Sequence, residues 1–413
     1  MKQYKIIYYA LVAAFGALVV GLNLGGISGA IDLIVKEFEL SAFAKGFVTG
    51  SLLIGCLVGA LAGGRLSDTY GRKPLMISSA LILGISALGC WLLAPSWYFL
   101  VIYRFISGFG VGMLSAVIPT YISEISPANL RGTLVSFYQT FVVIGILIAY
   151  VFNYCIKTDW KLMLSIPLFF SIIDIILLLS LPESPRWKVV KEESAERNGD
   201  KVKFSALFSG RMRKVVFLGC MLAFFQQITG INVVVNYAPG ILDSLGIGSN
   251  PLLQTVYIGI ANLVFTLIAL WVCDKFPRKT LLVTGGAGSF LSLAYLTYAY
   301  SVSNPNPVAV LVAIIAFIAF FALSFSPLMF VVTAEIYPSK IRGTAMALST
   351  GISWFCAFLV VQCYPLMEAT IGTNVAFGIF AGLMLIACLF IAFYIPETKG
   401  KTLEQIQHEL KLD

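Results

Sequence analysis

Ten ionisable residues at matched spacings are the first feature of this sequence with chemistry to offer. Glu124 and Arg131 stand seven residues apart in an E-I-x-P-x-x-x-R-G-T string, and Glu335 and Arg342 repeat that string later in the chain. Asp68 with Arg72 and Lys73 returns in the same way as Asp274 with Arg278 and Lys279. All of them border long apolar runs, where an unpaired charge is costly. The chemistry implied is ion pairing. Glu124 and Arg131 flank a proline break that lets them reach the Asp68–Arg72 loop, and Glu335 and Arg342 stand in the same relation to Asp274–Arg278. Such networks serve either as static anchors of topology or as latches that break when the molecule changes state, and their presence in both halves favours the latch.

The second group is uncharged. Gln139, Gln226, Gln227, Asn232 and Asn262 lie inside apolar runs. A carboxamide offers both a donor and an acceptor, which suits a ligand built of hydroxyl groups. For any lone amide in such a run, hydrogen bonding between helices is the commoner role. Two ionisable groups also fall within apolar runs, Arg104 and Asp174. Charge at mid-membrane depth costs about 2.5–3.5 kcal/mol, so Arg104 must face a polar interior. Asp174 is a candidate for ion coupling, or a partner for a neighbouring helix, or lies nearer an interface. The lone histidine, His408, sits in the C-terminal tail, which excludes a histidine relay or a histidine-based metal site. The eight cysteines lie in or beside apolar runs without C-x-x-C spacing and read as small packing residues.

These residues need a scaffold, and composition supplies its class. Of 413 residues 59% are hydrophobic and 12% charged, about half the charged fraction of a soluble domain. The chain is a membrane protein. The net charge of +8 does not point to nucleic acid, because most Lys and Arg sit in short breaks between apolar runs. Runs long enough to span a bilayer fall near 6–28, 43–63, 75–94, 97–122, 133–154 and 162–181, then near 214–242, 253–273, 280–300, 308–333, 343–366 and 374–395. The first of these is not a cleaved leader, since it is one of many spans. With the N-terminus cytoplasmic, 23 Lys and Arg lie inside and four outside, so both termini are expected in the cytoplasm of a plasma (inner) membrane protein. The repeated motifs are offset by 206 to 214 residues, half the chain. An all-α fold of twelve transmembrane helices in two pseudo-symmetric six-helix bundles follows, an arrangement in which a transport site lies between the repeats. The expected boundaries are a bundle at 1–182, a short cytoplasmic linker at 183–213, a second bundle at 214–396 and a cytoplasmic tail at 397–413. The linker run Lys188 to Lys203 reads as a short solvated helix, with anionic lipid as a secondary possibility. Leu403, Ile406 and Leu410 put an amphipathic helix in the tail.

The motifs together resemble a sugar porter of the major facilitator superfamily. They are Gly64-Arg65-Leu66-Ser67-Asp68-Thr69-Tyr70-Gly71-Arg72-Lys73, both E-I-x-P-x-x-x-R-G-T copies, Pro182-Glu183-Ser184-Pro185-Arg186-Trp187, Gln226-Gln227-Ile228-Thr229-Gly230-Ile231-Asn232 and the closing Pro396-Glu397-Thr398-Lys399-Gly400. The resemblance spans nearly the whole chain. It implies that Gln139, Gln226, Gln227, Asn232 and Asn262 contact the sugar, with Trp354 stacking on it. Phe330 stands where many members carry tryptophan, and Ser353 where an amide often precedes Trp354, so the resemblance leaves the preferred sugar open. Gly21-Leu22-Asn23 matches the segment in which proton-coupled members carry aspartate, and Arg104 matches the arginine paired with it. Asparagine exchanges no proton, so facilitative uniport is expected, with proton symport through Asp174 as the alternative and a non-transporting sensor behind both. No cofactor or metal is implied, an enzyme is disfavoured, and the expected partners are a monosaccharide and the bilayer, with the chain acting as a monomer. Tyr237 is a candidate outer gate, and Pro327, Ser324 and Ser326 are expected to bend the tenth span.

Overall fold

A computed structural model describes residues 3–127, 130–187, 212–244, 250–302, 305–338, 341–401, 405, 406 and 409, leaving the side chain of Asp274 outside. Twelve helical spans among these residues are long and apolar enough to cross a membrane. The first six are single helices: α1 (Gln3–Phe38), α2 (Ala42–Tyr70), α3 (Arg72–Leu92), α4 (Trp97–Ile125), α5 (Arg131–Ile156) and α6 (Trp160–Leu179). The seventh is broken into α7 (Met212–Ile228) and α8 (Ile231–Asp243). α9 (Pro251–Lys275) and α10 (Arg278–Ala299) follow. The tenth span is broken into α11 (Pro307–Leu323) and α12 (Phe325–Ile336), and α13 (Arg342–Ile371) and α14 (Thr373–Tyr394) complete the set. The six-plus-six reading therefore stands. α1 runs beyond its apolar stretch at both ends, because a helix needs no apolar face once it leaves the bilayer.

Both breaks have local causes. Between α7 and α8, Gly230 takes φ +92°, and a Cβ there would lie 2.9 Å from the Phe380 ring. Only glycine fits. In the tenth span the break falls at Ser324, φ −129° and ψ −80°. Pro327 then occupies the first turn of α12, where its missing N–H costs no helical hydrogen bond.

Helices of the first half pack through glycine. α2 meets α4 where Gly55 and Gly59 face Gly108 and Gly112, and a Cβ on Gly108 would stand 1.9 Å from the Leu52 carbonyl oxygen. α1 meets α5 likewise, with a Cβ on Gly145 2.1 Å from the Leu18 oxygen. These are small-xxx-small crossings with backbones in contact. Large apolar side chains such as Ile85, Leu291 and Phe393 remain exposed on the outer faces, which a bilayer covers.

The helices group into two compact units, the first of residues 1–199, 235–240 and 250–263, the second of 200–234, 241–249 and 264–413. The first unit thus takes in parts of α8 and α9, a departure from a boundary near the chain midpoint. The contacts responsible are specific. Tyr150 donates its hydroxyl to the Val235 carbonyl at 2.8 Å, and Tyr150 and Leu147 close over Gly259. The linker run Lys188 to Lys203, with Leu403 and Leu410 of the tail, lies outside the described residues; Ile406 is buried.

The carboxylates of the two proline-glutamate motifs cap helices. Glu183 accepts hydrogen bonds from the backbone N–H groups of Arg72 at 3.0 Å and Lys73 at 3.2 Å, at the start of α3. Glu397 does the same for Arg278 at 2.9 Å and Lys279 at 3.0 Å, at the start of α10. A carboxylate there satisfies otherwise unpaired N–H groups and complements the helix dipole. Replacing Glu183 by alanine is expected to cost about 1–2 kcal/mol, read as a lowered melting temperature in detergent. A glutamine at the same position should recover part of the loss, since its carbonyl still accepts but carries no charge.

Candidate functional site

In the second unit the amides form one connected chain. Gln226 and Gln227 end α7, and Asn232 begins α8 just beyond the Gly230 break, so the kink turns all three toward one another. Gln226 is buried, and its Nε2 donates to the carbonyls of Phe325 at 3.1 Å and Ser326 at 3.4 Å. These carbonyls belong to the first turn of α12. The Gln226 amide thereby ties one broken span to the other. Gln227 Nε2 donates to Gln226 Oε1 at 3.2 Å and to Ser353 Oγ at 2.8 Å, and Gln227 Oε1 accepts from Asn232 Nδ2. Ser353, on α13, is buried and immediately precedes the partly buried Trp354. Sequence reasoning marked Ser353 only as a departure from a pattern, whereas the structure makes it a member of the network. Phe330, on α12, is 42% exposed.

The first unit holds Gln139 on α5 and Asn262 on α9, both partly buried. It also holds the polar interior that Arg104 requires. Arg104 Nε donates to the Val48 carbonyl at 3.0 Å and Nη2 to the Thr49 carbonyl at 3.2 Å. Asn23 Nδ2 donates to Val19 O at 2.9 Å, and Asn23 Oδ1 accepts from Ser107 Oγ at 2.6 Å. Asn23, Arg104 and Ser107 line one cavity of about 20 Å³, room for a single water. Arg104 is thus stabilised by carbonyl dipoles of α2 and needs no carboxylate. Tyr237 is buried in this unit with Lys45 Nζ 5.6 Å from its ring centroid, and Lys45 pairs with Asp32 at 3.1 Å. Asp32 and Lys45 were not singled out from the sequence, because exposed charges at span ends are ordinary.

Asp174 is fully buried in α6 and neither carboxyl oxygen has a hydrogen-bond partner among the described residues. The expectation that it hydrogen-bonds to a neighbouring helix is therefore corrected. Gly16 of α1 stands across from it and has no side chain to donate.

The two charge clusters are unequal. In the first, Arg72 grips Glu124 through Nε at 3.0 Å and Nη2 at 2.9 Å, pairs with Asp68 at 3.0 Å and donates to the Ser67 carbonyl. Ser184 donates to Glu124, and Trp187 Nε1 to the Asp68 carbonyl at 2.8 Å. The motif after α6 is thus folded onto the α2–α3 turn. In the second cluster Arg278 and Glu335 stand 3.9 Å apart, and Glu335 Oε2 and Arg278 Nε have no hydrogen-bond partner among the described residues. Arg342 donates to the Tyr337 carbonyl at 3.2 Å. One expectation needs correction. Arg131 is exposed and makes no ion pair among the described residues, because Arg72 and Ser184 already occupy Glu124. The expected reach of Arg342 to Asp274 falls on a side chain outside the described residues.

A family profile described as "Sugar (and other) transporter" matches residues 9–203 and 190–410. The D-xylose-proton symporter of Escherichia coli (strain K12) is 33% identical over 462 residues, covering 96% of this chain and 94% of the relative. The arabinose-proton symporter of Bacillus subtilis (strain 168) is 32% identical, covering 97% of this chain and 94% of the relative. Glucose transporter GlcP of Staphylococcus epidermidis is 33% identical, covering 100% and 98%. Among solved structures, the inward open conformation of the xylose transporter XylE from E. coli superimposes with TM-score 0.85 at 31% identity, covering 98% of this chain and 99% of that one.

Proposed function

Since the chain belongs to the sugar (and other) transporter family, whose members are transporters and not enzymes, we propose that it carries a monosaccharide across the membrane in symport with a proton, by alternating access. The observation that supports the sugar is the amide chain Gln226–Gln227–Asn232 closed by Ser353. A neutral polyol needs donors and acceptors at fixed positions and has no use for a buried charge. Trp354 beside Ser353 offers an aromatic face for the apolar side of the ring. Gln139 and Asn262 carry amides of the same chemistry. Gln226, committed to backbone carbonyls, acts mainly by positioning its neighbour. Pentoses and hexoses are both within this chemistry, as the names of the xylose, arabinose and glucose relatives suggest.

Proton coupling is favoured by the relatives named as proton symporters. One observation favours the other reading, facilitative uniport: the Asn23 amide, bonded to Ser107 and Val19, carries no proton. Both termini are taken as cytoplasmic and the charge clusters as latches on that side, released once per transport cycle.

The test is uptake of labelled xylose, arabinose, glucose and fructose into proteoliposomes, with and without an inward proton gradient. Accumulation above the outside concentration, abolished by a protonophore, is expected. Equilibration indifferent to the gradient would replace symport with uniport.

A further inference from the structure

Asp174 is a carboxylic acid without a hydrogen-bond partner among the described residues, buried in the first unit. Across from it, α1 presents Gly16, where a Cβ would stand 3.2 Å from Asp174 Oδ2 and 3.1 Å from Ile118 Cδ1 of α4. Glycine at this position leaves the carboxyl room. One turn earlier on the same helix, Ser171 Oγ is also buried and without a partner among the described residues. Its Cβ would lie 3.5 Å from a Cβ built on Gly84 of α3.

The titratable and charged groups on the surrounding helices are engaged elsewhere. On α1, Tyr8 shares a hydrogen bond with Ser180 and its ring centroid lies 5.7 Å from that of Tyr9, and Tyr121 of α4 donates to the Pro182 carbonyl. On α3, Arg72 is held by Glu124, and Lys73 Nζ donates to the carbonyls of Leu179 at 2.9 Å and Leu181 at 2.7 Å. On α5, Tyr138 is partly buried and Tyr150 donates to the Val235 carbonyl. Arg104 is bonded to α2. No cation among the described residues pairs with Asp174. An unpaired ion there carries its full desolvation cost. Gain and loss of charge must therefore accompany a rearrangement of α1 against α6 that admits water.

We infer that Asp174 is the proton-binding site of this protein, doing at the α1–α6 contact what an amide at position 23 cannot. A proton from water on the outer side adds to one carboxylate oxygen to give the neutral acid. Deprotonation on the inner side returns it to water, with no other bond made or broken. Neutralised, the group is compatible with close packing against Gly16; charged, it opposes that packing. This rests on the symport reading above.

The experiment uses the full chain in proteoliposomes enclosing a pH-sensitive dye, with the sugar that the wild type accumulates. Sugar-driven proton entry is expected in the wild type, is expected to fall at least tenfold in Asp174→Asn and to persist in Asp174→Glu. Binding read from tryptophan fluorescence shows whether each variant is folded. Proton entry at the wild-type rate in Asp174→Asn would overturn the assignment while leaving symport intact. A wild type that moves sugar without protons would remove symport itself, and the assignment with it. Should Asp174→Asn fail to fold, infrared spectra decide between wild type and Asp174→Glu: a protonated-carboxyl band that changes with pH or sugar and shifts on substitution supports the site. A band indifferent to the substitution overturns it.

Discussion

Gln227→Ala is expected to raise the sugar concentration needed for half-maximal uptake by about 30-fold. Gln227 is the centre of the amide chain, bonded at once to Gln226, Ser353 and Asn232. Its removal leaves those groups without their fixed partner and lets Asn232 turn away. At about 1 kcal/mol for each net hydrogen bond, two contacts that no longer help hold the sugar amount to about 2 kcal/mol, and 1.4 kcal/mol is tenfold. Ser353→Ala removes one bond and should cost less, about fivefold to tenfold. Initial uptake rates over a range of sugar concentrations, together with fluorescence-detected binding, separate a loss of affinity from a loss of turnover. Unchanged affinity in Gln227→Ala would mean that the chain only braces the breaks in the seventh and tenth spans. A change in the order of preferred sugars in Ser353→Asn would identify that position as a selector.

Gly108→Val is expected to leave no folded protein recoverable in mild detergent. Its Cβ would stand 1.9 Å from the Leu52 carbonyl oxygen and 2.7 Å from the carbonyl carbon, both backbone atoms of α2. No rotamer relieves a clash with main chain. The helices must separate, and the facing contacts of Gly55, Gly59 and Gly112 are lost with them. Overpacking of this kind costs 1–3 kcal/mol where a core can adjust, and here it cannot. Gly64→Ala on α2 is the control: a Cβ there meets nothing within 4 Å, so a helical alanine is tolerated or gains about 0.4–1 kcal/mol. Size-exclusion profiles and yields of the two variants compare the sites directly. A monodisperse Gly108→Val would show that the α2–α4 crossing is looser than its backbone contacts indicate.

Much of the fold was legible because the bilayer imposes a simple code. Length and hydropathy mark each span, and a repeat offset by half the chain sets the count at six plus six. Helix interruptions were half legible: serines and a proline marked the tenth span, whereas the seventh hid its break behind a single glycine at positive φ. The glycine pairs were visible as frequent glycines, but frequency does not say which helix each one meets. Of the charged motifs, the Arg72–Glu124 pairing was foreseen and the exposure of Arg131 was not. Both arginines stand in charged motifs beside apolar runs, and only the occupied faces of Glu124 tell them apart. Glu183 and Glu397 were read as markers of the repeat. Their work as helix caps depends on loops returning across more than a hundred residues, which no local pattern encodes.

The sequence by itself determined the class of the molecule: a twelve-span membrane protein of duplicated halves, with uncharged amides inside its apolar runs. These follow from residue type, spacing and composition, which act wherever the chain goes. The tertiary structure alone decided which amide serves which partner, that Ser353 joins them, and that Arg104 is satisfied by carbonyl dipoles. It also decided that Asp174 meets a glycine instead of a donor. The reason is physical: a hydrogen bond or a buried charge is defined by its surroundings within a few ångströms, and those surroundings come from helices far apart in the chain.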